Sequence, residues 1–328
     1  MDRVNGRPIS VTSGGLQFNN NQGDVLIENS VFAYHGDDGI NLGPSSLFAV
    51  QTVNGNNLTL GSSDSTPQAG DAVYIFNSAW GLLGFSSLQS VAPDAGGGFD
   101  VQLSQAVPHL AADSWVGELN AIGARWIIRN NQFLNCHCRA ILSTSPYGLI
   151  ENNVMKGQTL AAILAGDIND VAPAAGPGVQ DMQILNNLIS DSGPMSAAPW
   201  ILRGWTSPGA IMIITYLTNG QYDESGSSDA PVNQHIVLSG NTVQNVPGPA
   251  FFIGSANQVT MTGNQVINAN SGPFYYLGTA STAGSVVVSQ ARDVDISGTI
   301  LMGGKTGPVS IDRQSTGAVT VQNTSSSP

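Results

Sequence analysis

The residues with the most chemical promise sit together in AYHGDDGINL, residues 33–42, where Asp37 and Asp38 stand side by side in a chain only 10% charged. Neighbouring carboxylates disfavour each other's ionisation, so one holds its proton longer while the other stays charged, and such a pair can divide acid and base roles. With Ile40 and Leu42 facing inward, strand alternation puts Gly39, Asn41 and Asp37 on the outer phase and leaves Asp38 in the entering turn. His35 and Asn41 flank the pair and are candidate substrate-binding groups. The plainer alternative is an Asp38-Gly39 turn with Asp37 solvated beside it.

Hydrolysis of a glycoside generally uses two carboxyl groups, about 6.5–9.5 Å apart when water attacks with inversion. Glu118 in WVGELN and Asp167 in ILAGD are the further acids considered, the first as a catalytic partner and the second as a substrate contact. Glu28 and Glu151 recur at one position of a repeat, which marks a solvated face. Aromatic rings on loops stack on apolar faces of sugars. Trp200, Arg203 and Trp205 in PWILRGWTSPG form the best such cluster, whereas Trp80, Trp115 and Trp126 are expected in the core.

The elements that position these groups come from a repeat. VLIENSVF, WIIRNNQF, GLIENNVM, MQILNNLI, HIVLSGNTV and QVTMTGNQV align. In the last five, Asn131, Asn153, Asn187, Asn241 and Asn264 keep one register at spacings of 22, 34, 54 and 23 residues. Coils of about 22 residues with an Asn at the same turn predict an all-β, right-handed parallel β-helix of the pectin-lyase-like type, each coil burying its apolar face only on the next. The repeated Asn is expected to form a ladder of amides along the stack.

The longest interruption lies between Ser30 and Asn131. LFAVQTVNGNNLTL reads as a hairpin around Asn-Gly, followed by the strand-like DAVYIFN, LLGFSSLQSV, FDVQLSQAV and SWVGELN. Three regions are therefore expected: first coils in 1–44, an inserted small β-barrel in 45–120, and the remaining coils with a C-terminal cap in 121–328. The insertion starts just after GDDGINL, which places the aspartates where helix and barrel meet.

A formal charge of −12 with ten Lys plus Arg leaves no basic stripe for nucleic acid or an anionic membrane. No apolar run is long enough to span a bilayer, and MDRVNGRPIS lacks the apolar core of a signal peptide. The chain also starts as a partial coil with no capping element, so a longer protein, extracellular or periplasmic, is expected. Cys136 and Cys138 in NCHCRA are read as small buried side chains on one face of a strand, with neither a disulfide nor a metal between them.

The order of parts, IENSVFAYHGDDGINL, GDAVYIFN, GELN, WIIRNNQFLNCHCRAILSTS and GLIENNVMKGQTLAAILAGD, resembles the bacterial α-1,3-galactosidase family of β-helix glycoside hydrolases over roughly residues 10–270. The resemblance implies exo-acting, inverting hydrolysis of terminal α-linked galactose without cofactor or metal, with catalytic acids at Asp37 and Asp38. Where that family carries an acid and a histidine in a stretch like ADALHF, this chain has Gly14 and Gln17, and its NLGP replaces NVHG. Two other classes stay open: a non-catalytic sugar-binding or structural β-helix, and a polysaccharide lyase or uronate epimerase. Cationic side chains to neutralise a uronate are few.

Overall fold

The computed structural model describes residues 10–19, 23–43, 47–63, 65–78, 81–118, 125–166, 178–193, 209–215, 233–272, 275–276, 279–280, 284–303, 309–311, 315–322 and 324–327. Three parallel eight-stranded sheets run the length of the molecule, each coil giving one short strand to each sheet. The first sheet begins with Leu16–Asn19 and Ile40–Gly43, the second with Val25–Glu28 and Trp126–Arg129, the third with Val31–Ala33 and Gln132–Leu134. The expected all-β parallel helix is the observed fold.

The second sheet shows how the sequence makes it. Successive coils stack Trp126 on Gly148 and Ile128 on Ile150, and then Ile150 on Ile184, so inward positions form continuous apolar columns. Ile128, Ile150 and Ile184 are fully buried in one core with Ile40, Phe133 and Ile163 from the other two sheets. Trp126 belongs to this core, its indole N–H donating to the Pro146 carbonyl at 2.9 Å, and a Cβ at Gly148 would run into the indole. Burial of each large apolar side chain contributes roughly 1.5–3 kcal/mol.

The corner between the second and third sheets carries the expected amide ladder. Asn131 Nδ2 donates to Asn153 Oδ1 at 3.1 Å, Asn153 to Asn187 at 3.0 Å, Asn187 to Asn241 at 3.0 Å and Asn241 to Asn264 at 3.1 Å. Each amide also donates to a strand carbonyl of the preceding coil, as Asn187 does to Ile150. The residue before each ladder position turns the chain with φ of 53–65°: Asn130, Asn152, Asn186, Gly240 and Gly263. Asn and Gly adopt that left-handed conformation at little cost.

The barrel occupies the corner between the first and second sheets of a single coil, between Ile40–Gly43 and Trp126–Arg129. Its six strands, from Leu47–Asn54 to Trp115–Glu118, close on themselves, and Leu47 pairs with Gly117, so the two ends of the insertion meet. The Asn54–Asn57 hairpin has Gly55 at φ 61° in its two-residue loop. Phe48, Leu60, Ile75 and Val116 make the barrel's own core, and Trp115 packs beside Tyr74 and Phe76.

The sheets differ in what lies outside them. Outer-face residues of the first sheet, Leu164, Met212 and Phe252, are buried in a second apolar cluster. The outer faces of the other two are open in places, with Leu26, Val154 and Leu188 exposed.

Candidate functional site

The aspartate pair lies in the corner between the third and first sheets, after Tyr34, whose φ of 58° bends the chain out of the Val31–Ala33 strand. Gly36 and Gly39 permit the tight passage. A Cβ on Gly36 would sit 2.8 Å from the Thr12 carbonyl oxygen, and one on Gly39 would sit 2.7 Å from that of Ala140. The two carboxylates then part company: Asp37 is exposed, whereas Asp38 is 5% exposed and faces the next coil.

The next coil meets Asp38 with Arg139. The Arg139 backbone N–H donates to Asp38 Oδ1 at 3.0 Å, and Arg139 Nη1 reaches Oδ1 and Oδ2, each at 3.3 Å. Arg139 is itself buried, at 3% exposure. Burial pushes the Asp38 pKa up and outweighs the Arg139 guanidinium, which pulls it down; the Asp37 charge adds to the rise. Asp37 Oδ1 accepts the Asp38 backbone N–H at 2.9 Å, a local contact that orients the exposed carboxylate.

Two thiols line the same corner. Cys136 and Cys138 are buried and free, and they lie in the turn after the Gln132–Leu134 strand, which corrects the expectation that they share a strand face. Desolvation raises the Cys136 thiol to about 11. Desolvation, then the Asp38 charge, raises Cys138 to about 12. Among the described residues, Asp37, Asp38 and Cys138 bring ligand atoms within 4.8 Å of one another. That set fits a divalent ion poorly, because Asp38 is committed to Arg139 and a thiol must lose its proton to bind metal.

The other expected site residues scatter. His35 is fully buried, its ring 6.0 Å from Phe32 and edge-on to it, so it faces the interior and not a substrate. Burial lowers its pKa. Asn41 lies half-buried on the outer face of the first sheet, between Gln17 and Leu142. Glu118 is buried in the last barrel strand opposite Val73, and the charges acting on Asp38 are those of Arg139 and Asp37. Asp167, Trp200, Arg203 and Trp205 lie outside the described residues, as does Trp80. Glu28 is held by Arg129 at 2.8 Å on a partly exposed face, and Glu151 follows in register.

Reasoning from local sequence overlooked Arg139, although a signal existed. Asn131 answers Ser30 across the insertion at an offset of 101 residues. The same offset carries Asp38 to Arg139.

No curated protein matches the sequence. Two similar solved structures are phage tailspikes. The Gp54 tailspike of Acinetobacter baumannii bacteriophage AP22, in complex with A. baumannii capsular saccharide, is 12% identical over 96% of this chain and 63% of that one, with a TM-score of 0.33. The tailspike gp49 from Pseudomonas phage LKA1 is 13% identical over 90% of this chain and 54% of that one, with a TM-score of 0.32. The chain thus spans less than two thirds of either tailspike. A family model described as the right handed beta helix region matches residues 118–324. With more than half its length matched and three parallel sheets stacked coil on coil, the chain belongs to the right-handed β-helix family.

Proposed function

We propose that the chain is a glycan-interacting β-helix protein in which Asp37 is the carboxylate presented to a sugar and Asp38, through Arg139, holds it in place. The observation that carries this reading is the division of the pair: one carboxylate exposed, its neighbour locked into the next coil by a buried guanidinium. A fixed, exposed carboxylate accepts hydrogen bonds from sugar hydroxyls without first having to be ordered, which favours binding.

In the finer form, Asp37 is the base that activates water for inverting attack on a terminal α-galactoside, the activity that the order of parts implies. Asp38 then positions Asp37 and does not touch substrate. The acid in this form is Glu118, and Glu118→Gln is its direct test. A second reading, a β-helix that binds glycans without cleaving them, is favoured by the burial of both Asp38 and Glu118, since hydrolysis generally needs two carboxyl groups that reach the substrate.

Affinity electrophoresis of the wild type and Asp37→Asn through gels containing galactans and other plant or algal polysaccharides tests the shared part of both forms. Retardation of the wild type that weakens in Asp37→Asn supports the reading. Equal migration of both proteins in every gel contradicts it.

A further inference from the structure

Away from the aspartates, the outer face of the second sheet carries a groove of about 510 Å³ whose floor and rim come from three successive coils. Ile127, Leu149 and Gln183 follow one another in register along its floor. Arg125, Tyr147 and Asp181 form the rim where the chain enters the sheet. Tyr147 is 44% exposed. Tyr147 and Asp181 hold φ of 59° and 51°, and His235 continues the row at 54°. In the coils of Tyr147, Asp181 and His235 a left-handed residue bends the strand entry in the same way, so these side chains line up beside the floor. Asp181 Oδ1 lies 3.3 Å from His235 Nδ1, which ties the rim to a fourth coil.

We propose that this groove is a saccharide-binding site for a short stretch of neutral glycan. The proposal rests on the glycan reading above and adds a second place of contact, separate from Asp37. A sugar has apolar C–H faces and a belt of hydroxyls, and the groove offers both complements. Its floor has two aliphatic chains and an amide and its rim an aromatic ring, while the rim guanidinium and carboxylate and the floor amide can each pair with hydroxyls. Three coils at about 4.8 Å apiece span roughly 10 Å, and the volume falls in the range of sites that enclose small ligands.

Charge selects neutral over acidic glycan. Arg125 and Asp181 balance within the lining, and the chain as a whole carries −12. An acidic polymer would be repelled over a long range and would find one guanidinium to meet it. On the outer face of the first sheet, by contrast, Leu164, Met212 and Phe252 are buried in an apolar cluster.

The test is isothermal titration of the full chain with neutral oligosaccharides of two to six hexose units, cello-, manno- and galacto-configured, with oligogalacturonates as the acidic arm. Wild type, Tyr147→Ala, Tyr147→Phe, Gln183→Ala and Asp37→Asn are compared. Because Tyr147 has a left-handed backbone, Gln183→Ala supplies a variant that leaves the corner alone. Expected is binding of a neutral member, weakened about tenfold by Tyr147→Ala and by Gln183→Ala, and kept within about threefold by Tyr147→Phe. Loss only in Asp37→Asn overturns the groove while leaving the function proposed for Asp37 standing. Binding by the oligogalacturonates alone, or by nothing at millimolar concentration, overturns it outright.

Discussion

Two corners of the same coils solve the same turning problem with opposite chemistry. Between the second and third sheets, each coil places an Asn whose amide both donates and accepts, so every rung satisfies the next with neutral groups. Between the third and first sheets, the early coils bring together Asp37, Asp38, Cys136, Cys138 and Arg139, and no two rungs match. A ladder of identical amides is a solution that stacking alone requires. The aspartate corner buries a charge pair whose desolvation costs several kcal/mol per ion before pairing offsets it, which a merely structural turn has no need of.

That contrast can be broken at either end. Arg139→Met should be the most damaging change, because it leaves the buried Asp38 carboxylate without its counter-charge; a loss of about 4 kcal/mol is expected in urea unfolding. The double variant Asp38→Asn/Arg139→Met should recover most of that loss, since the charge is gone and an amide oxygen can still accept the backbone N–H at position 139. Equal damage from the single and double variants would mean that the pair is not the corner's main constraint. In the ladder, Asn187→Ala strands the Ile150 carbonyl and the Asn153 amide, and should cost about 3 kcal/mol.

The ladder was legible in the sequence, and so was the fold, because Asn and alternating apolar residues recur at fixed register and parallel stacking demands that recurrence. The barrel was legible for another reason: hairpin and strand patterns filled an interval too long for one coil. The aspartate corner was legible only in part. Alternation running back from Ile40 gives the exposed Asp37 but also puts Gly39 outside, where it is in fact buried, because the left-handed Tyr34 ends one strand and the next starts only at Ile40, so residues 35–39 follow a turn and no alternation. For the same reason NCHCRA leaves the strand after Leu134 and forms a turn. Arg139 was hidden by the barrel, which separates by 101 residues two side chains that stack on neighbouring rungs.

Raising the pH sharpens the comparison, because amides do not titrate and the thiols do. Folding raises Cys136 from 9.0 to about 11 and Cys138 from 9.0 to about 12, so the folded chain keeps two protons that the unfolded chain releases first. Stability is fully present below pH 9 and is lost as the pH climbs through these raised values, by about 2 kcal/mol between pH 9 and 10. Unfolding midpoints across that interval should fall for the wild type and stay flatter for Cys136→Ser/Cys138→Ser. The smallest effect on stability belongs to the residue with the most proposed chemistry: Asp37→Asn should shift unfolding by no more than about 0.5 kcal/mol, since Asn retains an oxygen for the Asp38 N–H.

The central claim is that Asp37 is held for chemistry and not for folding. Reducing-sugar release from a panel of α- and β-galactosides and plant or algal polysaccharides, by wild type and Asp37→Asn of equal stability, tests it most directly. The account predicts turnover of a neutral glycan by the wild type and a fall of about a hundredfold or more in the variant. Turnover that survives Asp37→Asn unchanged would contradict it and place the active carboxylates elsewhere on the helix.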